Sequence, residues 1–303
     1  MLYLILAIIC SSSIALIFKY AENTGGDRYV ITSANYLMAF LISLVMILSR
    51  GLLTGIEKEQ AFLDEFSNLS SRLVGVLSPY SSIIWGLIVG SIAGIFFFLG
   101  FIYYQKSVQE NGVGVSGTVA KLGILIPVLF SIIIWKEMPT AIQWVGIVLA
   151  LGSIVIMNLS PQSLEKMDFK ATLILLFLFG GMSEFSNKIY QRYGLNEYKD
   201  VFLCAVFIVA FLISAFYIWF KQAKITKKDI LIGCAVGIPN LFSSYFLILS
   251  LDTIAASIAY PIFSAGGIVL INIGGYLIFK ERISRKNKLA IALTIVALVL
   301  LNL

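Results

Sequence analysis

The chain has 303 residues, 59% of them hydrophobic and only 13% charged, with a mean hydropathy of +0.96. That balance excludes a soluble domain and describes a polytopic membrane protein. A net charge of +6 is ordinary for loops facing an anionic leaflet and calls for no nucleic-acid partner.

Ten apolar runs are long enough, or nearly so, to cross roughly 30 Å of hydrocarbon as helices. They are Leu2 to Phe18, Val30 to Ser49, Ser82 to Tyr104, Val113 to Trp135, Ala141 to Asn158, Ala171 to Ile189, Val201 to Phe220, Ile230 to Ser250, Ile254 to Phe279 and Leu289 to Asn302. Met1 leads into the first run without a basic segment, so that helix is expected to be retained. Between the second and third runs, Ile56 to Leu77 mixes Glu57, Lys58, Glu59, Asp64, Glu65 and Arg72 with Phe62, Phe66, Leu69 and Leu73 at helical spacing. It reads either as an amphipathic helix on the membrane surface or as a solvated connector.

The chain repeats itself. Val113 to Leu159 aligns without gaps on Ser257 to Leu303, an offset of 257 − 113 = 144, matching Trp135-Lys136-Glu137 with Phe279-Lys280-Glu281. Further forward, Ala39-Phe40-Leu41-Ile42-Ser43 recurs as Ala210-Phe211-Leu212-Ile213-Ser214, an offset of 171, and an offset of 169 sets Lys19 against Lys188. Gly90/Gly94 in the third run answer Gly233/Gly237 in the eighth. The drop in offset locates an insertion within Arg50 to Ser81. The expected architecture is therefore all-α, with ten transmembrane helices as two five-helix repeats, residues 1–160 and 161–303. Because five is odd, the copies enter the membrane in opposite directions, the inverted repeat typical of secondary transporters. The end bearing the termini carries Arg50, Lys58, Arg72, Lys136, Lys188, Arg192 and Lys199, while the opposite end concentrates its charge in Lys221 to Lys228 and Lys280 to Lys288. On the positive-inside rule the termini lie outside the cytoplasm, across the cell inner membrane.

This organisation, with a Glu-containing turn before each closing helix (Glu137, Glu281), resembles the drug/metabolite transporter superfamily and its EamA-like members in particular. The segment WKEMPTAIQWVGIVLALGSIV carries the pattern with Gln143, Trp144 and Gly146 in place. The second copy, FKERISRKNKLAIALTIVALV, departs from it at Asn287, Lys288 and Ala290. The resemblance implies transport of a metabolite such as an amino acid, nucleotide sugar, sugar phosphate, choline-like cation or drug. Several relatives keep both termini in the cytoplasm, against the charge count, and some handle lipid-linked carriers.

Charges inside the hydrocarbon are costly and need a reason. Lys121 stands roughly 12 Å along the fourth helix, and Glu184 roughly 20 Å along the sixth from the same side. Either they pair as interhelical glue, or they face a central cavity. In the cavity, Lys121 would hold a carboxylate or phosphate, and Glu184 an ammonium group or the coupling proton. Weaker polar candidates are Asn187, Asn240 beside Pro239, Tyr245, Tyr260, Ser12 and Asn35. For each, an interhelical hydrogen bond is the alternative.

No histidine is present, which excludes HExxH zinc sites, Ser-His-Asp triads and histidine relays. Cys10, Cys204 and Cys234 lie in apolar runs, so neither a metal site nor a cofactor is expected. With no nucleophile-base pair and no GxxxxGK[ST], the chain reads as a non-enzyme. The expectation is a secondary active transporter of a small polar metabolite, proton-coupled or exchanging, embedded in lipid as a monomer or homodimer. The alternatives are a polyspecific exporter of amphipathic cations and a lipid-carrier flippase.

Overall fold

The structure, a computed structural model, describes residues 1–56, 60–72, 75–158, 171–280 and 284–303. Glu57, Lys58, Glu59, Leu73, Leu159, Glu281 and the expected boundary at residue 160 lie outside the described residues.

Among the described residues there are eleven α-helices and no strands: α1 (Leu2–Asn23), α2 (Arg28–Ser49), α3 (Phe62–Arg72), α4 (Pro79–Leu122), α5 (Leu125–Trp135), α6 (Ala141–Asn158), α7 (Ala171–Tyr193), α8 (Lys199–Lys221), α9 (Lys227–Ser250), α10 (Ala256–Phe279) and α11 (Arg285–Leu301). Seven helical stretches are long and apolar enough to cross a membrane. The others fall short for visible reasons. Helix α6 has 18 residues and α11 17, and α7 carries Glu184, Asn187, Lys188 and Arg192 among its 23.

Helix starts follow the side-chain acceptors. Asp27 takes the N–H of Tyr29 at 2.8 Å, and Ser78, Thr226 and Ser284 cap α4, α9 and α11 in the same way. The third run outlasts its expected end at Tyr104 and continues to Gly112, where φ of +79° breaks α4 into two arms. Glycine alone adopts that conformation without strain. The expected fourth helix, Val113 to Trp135, is also divided, ending as α4 at Leu122 and resuming as α5 at Leu125. Pro127 is the cause, since it offers no N–H to the Gly123 carbonyl four residues back and its ring crowds that oxygen.

Among its described residues, the inserted segment is helical over α3. The Glu65 carboxylate accepts the Ser78 N–H at 2.5 Å and its hydroxyl at 2.8 Å, and the Phe66 ring lies 5.0 Å from Trp85, so α3 is fastened over the start of α4.

Helix packing is reciprocal. A Cβ on Gly90 or Gly94 of α4 would come within 2.5 Å of the Phe202 or Val206 carbonyl of α8. On Gly233 or Gly237 of α9 it would come within 2.5 or 2.6 Å of the Ile31 or Asn35 carbonyl of α2. Both pairs of helices run parallel, and the contacted residues differ by 202 − 31 = 171 and 206 − 35 = 171. Small residues are what allow backbones so close in a membrane. Both termini lie at one end, where Tyr3 stacks on Phe246 and Leu301 covers Gly146.

Candidate functional site

Lys121 sits in the last turn of α4, just before the break that Pro127 imposes. Helix α7 comes close there because a Cβ on Gly181 would lie only 2.5 Å from the Gly123 carbonyl. That approach brings Glu184 near Lys121. The two charges feel each other, but among the described residues they do not close into an ion pair.

Three other expected residues join them. Ser12 of α1 donates to the Ile8 carbonyl at 2.7 Å and to the Gly267 carbonyl of α10 at 3.3 Å. A Cβ added at Gly267 would lie 3.9 Å from the Ser12 oxygen and 4.0 Å from the Lys121 Nζ, which places both side chains beside this point of α10. Asn187, one turn beyond Glu184, donates to its carboxylate at a long 3.5 Å, and its own Oδ1 is buried without a partner. The fully buried Tyr260 donates its hydroxyl to the Glu184 carbonyl at 2.7 Å. Lys121, Glu184, Asn187, Tyr260 and Ser12 thus form one cluster between α1, α4, α7 and α10.

The remaining three stand elsewhere. Asn240 donates to Asn35 at 3.0 Å, bridging α9 and α2. Tyr245 lies near the terminus-bearing end, its hydroxyl 3.3 Å from the Arg50 guanidinium and the Lys199 ammonium 4.4 Å above its ring.

A cavity of about 520 Å³ leads to the cluster from the end opposite the termini. Glu22, Lys19 and Arg28 stand at its mouth, Tyr104 and Gln105 along its wall, and Lys121 on its lining. Arg28 is held by Gln105 at 2.8 Å and by an ion pair with Glu22. Of the two charges expected to face the cavity, Lys121 alone lines it. Glu184 is set back behind it, its turn tied to α10 through Tyr260.

Past Glu184 the described residues are bonded to one another across several helices. Lys188, one turn further along α7, pairs with Glu137 at 2.7 Å and is 3% exposed on its side chain. The second Glu137 oxygen accepts the Ala256 N–H at 2.6 Å, at the N-terminus of α10, where the helix dipole favours a carboxylate. Lys188 also donates to Gln191 at 3.1 Å, and Gln191 to Asp252 at 2.9 Å, with Asn196 bonded to the same carboxylate. Lys188 lies 5.6 Å over the Trp135 ring, and the Trp135 indole N–H donates to the Tyr193 hydroxyl at 3.2 Å. The seal joins the α5–α6 turn, the end of α7 and the start of α10.

The family model described as Small Multidrug Resistance protein matches residues 201–295. An uncharacterised membrane protein of Bacillus subtilis, YvaE, is 44% identical over 93 residues, covering 28% of this chain and 78% of YvaE. The chain belongs to the drug/metabolite transporter superfamily. An uncharacterised protein of Haemophilus influenzae is 25% identical to this transporter over 298 residues, 97% of the chain and 95% of the relative. A Bacillus cereus protein whose name assigns it provisionally to sugar uptake is 25% identical over 218 residues, 68% of the chain and 74% of that protein. A crystal structure that superposes with a TM-score of 0.69 at 18% identity covers 99% of the chain and 94% of its own, and so shares the fold.

Two parts of this transporter escaped sequence reasoning. None of the mouth residues Glu22, Arg28 and Gln105 was singled out from the sequence. The signal for them is the stripe Ser11, Ile14, Ala15, Phe18, Glu22 on α1 facing Phe101, Tyr104, Gln105, Val108 on α4, each at three- and four-residue spacing. The Glu137–Lys188 pair joins residues 51 positions apart (188 − 137), and nothing local to either announces the other.

Proposed function

We propose that this transporter carries a small polar metabolite across the inner membrane by alternating access, its halves 1–160 and 161–303 forming an inverted repeat of five helices each. The observation that carries this reading is one-sided access. A cavity runs from the basic end to Lys121, whereas the path beyond Glu184 is barred by Lys188, Glu137 and the start of α10. The reciprocal glycine contacts, with glycines 143 residues apart (233 − 90) and contacted carbonyls 171 apart (202 − 31), support the repeat. The unequal distribution of lysine supports a cytoplasmic position for the open mouth.

In this reading Lys121 holds the anionic group of the solute. Glu184 neutralises an ammonium group or takes up the coupling proton, as intramembrane carboxylates in proton relays do. Lys188 follows Glu184 by one turn of α7, and Ala256 precedes Tyr260 by one turn of α10. Movement of α7 relative to α10 on solute binding is therefore felt at once by the seal. Breaking Glu137 from Lys188 and from Ala256 would open the terminus-bearing end, and re-forming an equivalent closure at the mouth would complete the cycle. Only the difference in a solute's affinity for the two states can drive that exchange.

The test is uptake into proteoliposomes with an imposed pH gradient. Glu184→Gln is expected to abolish gradient-driven accumulation while leaving the thermal unfolding profile intact, and unchanged coupling would remove Glu184 from its role. A thermal-shift screen of amino acids, phosphorylated sugars and quaternary amines would identify the solute class. Stabilisation by an anion that disappears in Lys121→Ala is the expected result. Stabilisation by quaternary amines that survives Lys121→Ala would instead favour cation export.

A further inference from the structure

The solute path leaves one hollow unexplained. A slot of about 450 Å³ lies near the basic end between α2, α8 and α9, and it shares no lining residue with the cavity that reaches Lys121. Helices α8 and α9 both lie along α2 but scarcely touch each other. Gly233 and Gly237 draw α9 tightly onto α2. Small side chains, Ser33, Ala34 and Ala215, leave the floor open, and Phe211, Ile218 and Trp219 form the walls. The interior is apolar and shaped for hydrocarbon rather than for a polar solute.

Its rim is not apolar. The α8–α9 turn, Gln222, Ala223 and Ile225, closes the slot at the membrane boundary, and Lys224 lies between two of those lining residues. Lys227 precedes the lining residue Ile230 by three positions on α9 and so shares its face. Both lysines are exposed. The turn's nearby carboxylate, Asp229, is buried and occupied with the Thr226 hydroxyl and the Asp27 N–H. The slot therefore presents apolar-lined space beside a turn bearing two exposed lysines, neither of which meets a carboxylate among the described residues. We infer that it is a binding site for a phospholipid with an anionic headgroup, one acyl chain lying in the slot and the phosphate held by Lys224 and Lys227. Lysines at the membrane surface attract such headgroups, and a pocket between helices makes the attraction site-specific.

The test is native mass spectrometry of the full-length protein in detergent, titrated with phosphatidylglycerol or phosphatidylcholine. One phosphatidylglycerol is expected to bind ahead of phosphatidylcholine, and the Lys224→Gln/Lys227→Gln variant to weaken it by about tenfold. Ala215→Phe, which fills the slot and leaves the lysines alone, is expected to remove the preference as well. A second readout uses bilayers containing a minority of either lipid with brominated chains. Brominated phosphatidylglycerol should quench Trp219 more than brominated phosphatidylcholine does, and Trp219→Phe should erase the difference. Equal binding of the two lipids overturns the proposal. So does phosphatidylglycerol binding unchanged in Ala215→Phe, since the lysines alone would then account for it. Retained solute-driven thermal stabilisation in these variants verifies that the transport site is intact.

Discussion

The two ends of this transporter use the same kinds of residue and differ in what those residues have closed around. At the terminus-bearing end a lysine, Lys188, lies over an aromatic ring, Trp135, and its ammonium is buried against Glu137, with the N-terminus of α10 drawn onto the same carboxylate. At the opposite end Lys19 lies 5.3 Å over Phe279, the positions the repeat assigns as counterparts (188 − 19 = 169; 279 − 135 = 144). There, however, the space between α1 and α4 remains a cavity with Arg28 and Glu22 at its mouth. The turns that carry these units also agree: Lys136 and Lys280 both end their helices in left-handed conformation, at φ of 58° and 54°. Matching parts are bonded to different extents at the two ends, so the more tightly bonded end is the one to attack.

The largest effect is expected from Lys188→Met. Leaving one member of a buried pair without its partner costs about 3–5 kcal/mol, toward the lower figure here because Glu137 retains some exposure. A cysteine at the buried Ser257, beside Ala256, should then react with a membrane-impermeant maleimide that leaves it untouched in the wild-type background. Unchanged protection would show that the pair is not the seal.

Next in size, Gly94→Ala and Gly237→Ala set a Cβ 2.5 and 2.6 Å from a backbone carbonyl that cannot swing aside. Each should lower stability by about 1–3 kcal/mol, read from thermal unfolding, and by similar amounts if the two halves are equivalent. Gly152→Ala, whose Cβ meets nothing within 4 Å, is the control that should change little.

At the open mouth Arg28→Gln should cost less than about 1 kcal/mol, because the ion pair with Glu22 is partly exposed and screened by salt. Its expected signature is slower entry of an anionic solute with a weaker salt dependence, measured by initial uptake rates.

The smallest effect concerns α3, the helix of the inserted segment. Burial alone would raise the Glu65 carboxyl, but the neighbouring Ser81 and the hydrogen bonds from the Ser78 N–H and hydroxyl outweigh it and hold the group below its ordinary value. A carboxyl lowered on folding contributes its stability above the unfolded value, about 4.3, and loses it as pH falls through the folded one. Hydrogen exchange across residues 62–72 should therefore quicken, beyond its intrinsic pH dependence, as pH drops below about 4, and this extra change should vanish in Glu65→Gln.

Much of this was legible in the chain alone. Apolar run length dictated the helices, because a backbone in hydrocarbon must bond to itself. Lys121 and Glu184 stood out because charge is rare at that depth. The sequence offsets sharpen their status, since they set Ala265 against Lys121 (121 + 144) and Ala15 against Glu184 (184 − 169), so neither charge recurs at its aligned position. Asn35 and Asn240 were weaker candidates, with an interhelical hydrogen bond as the alternative. Their union across α2 and α9 depends on Gly237 meeting the Asn35 carbonyl, which no local pattern encodes.

Sequence by itself showed that the chain is helical and membrane-spanning and which charged residues would pay a penalty inside the hydrocarbon, since both follow from the transfer energy of individual side chains. Tertiary structure decided the partners: Lys188 with Glu137, Tyr260 with the Glu184 carbonyl, an open mouth at one end and a closed one at the other. Those depend on distances between helices far apart in the chain, set by where glycine lets two backbones touch.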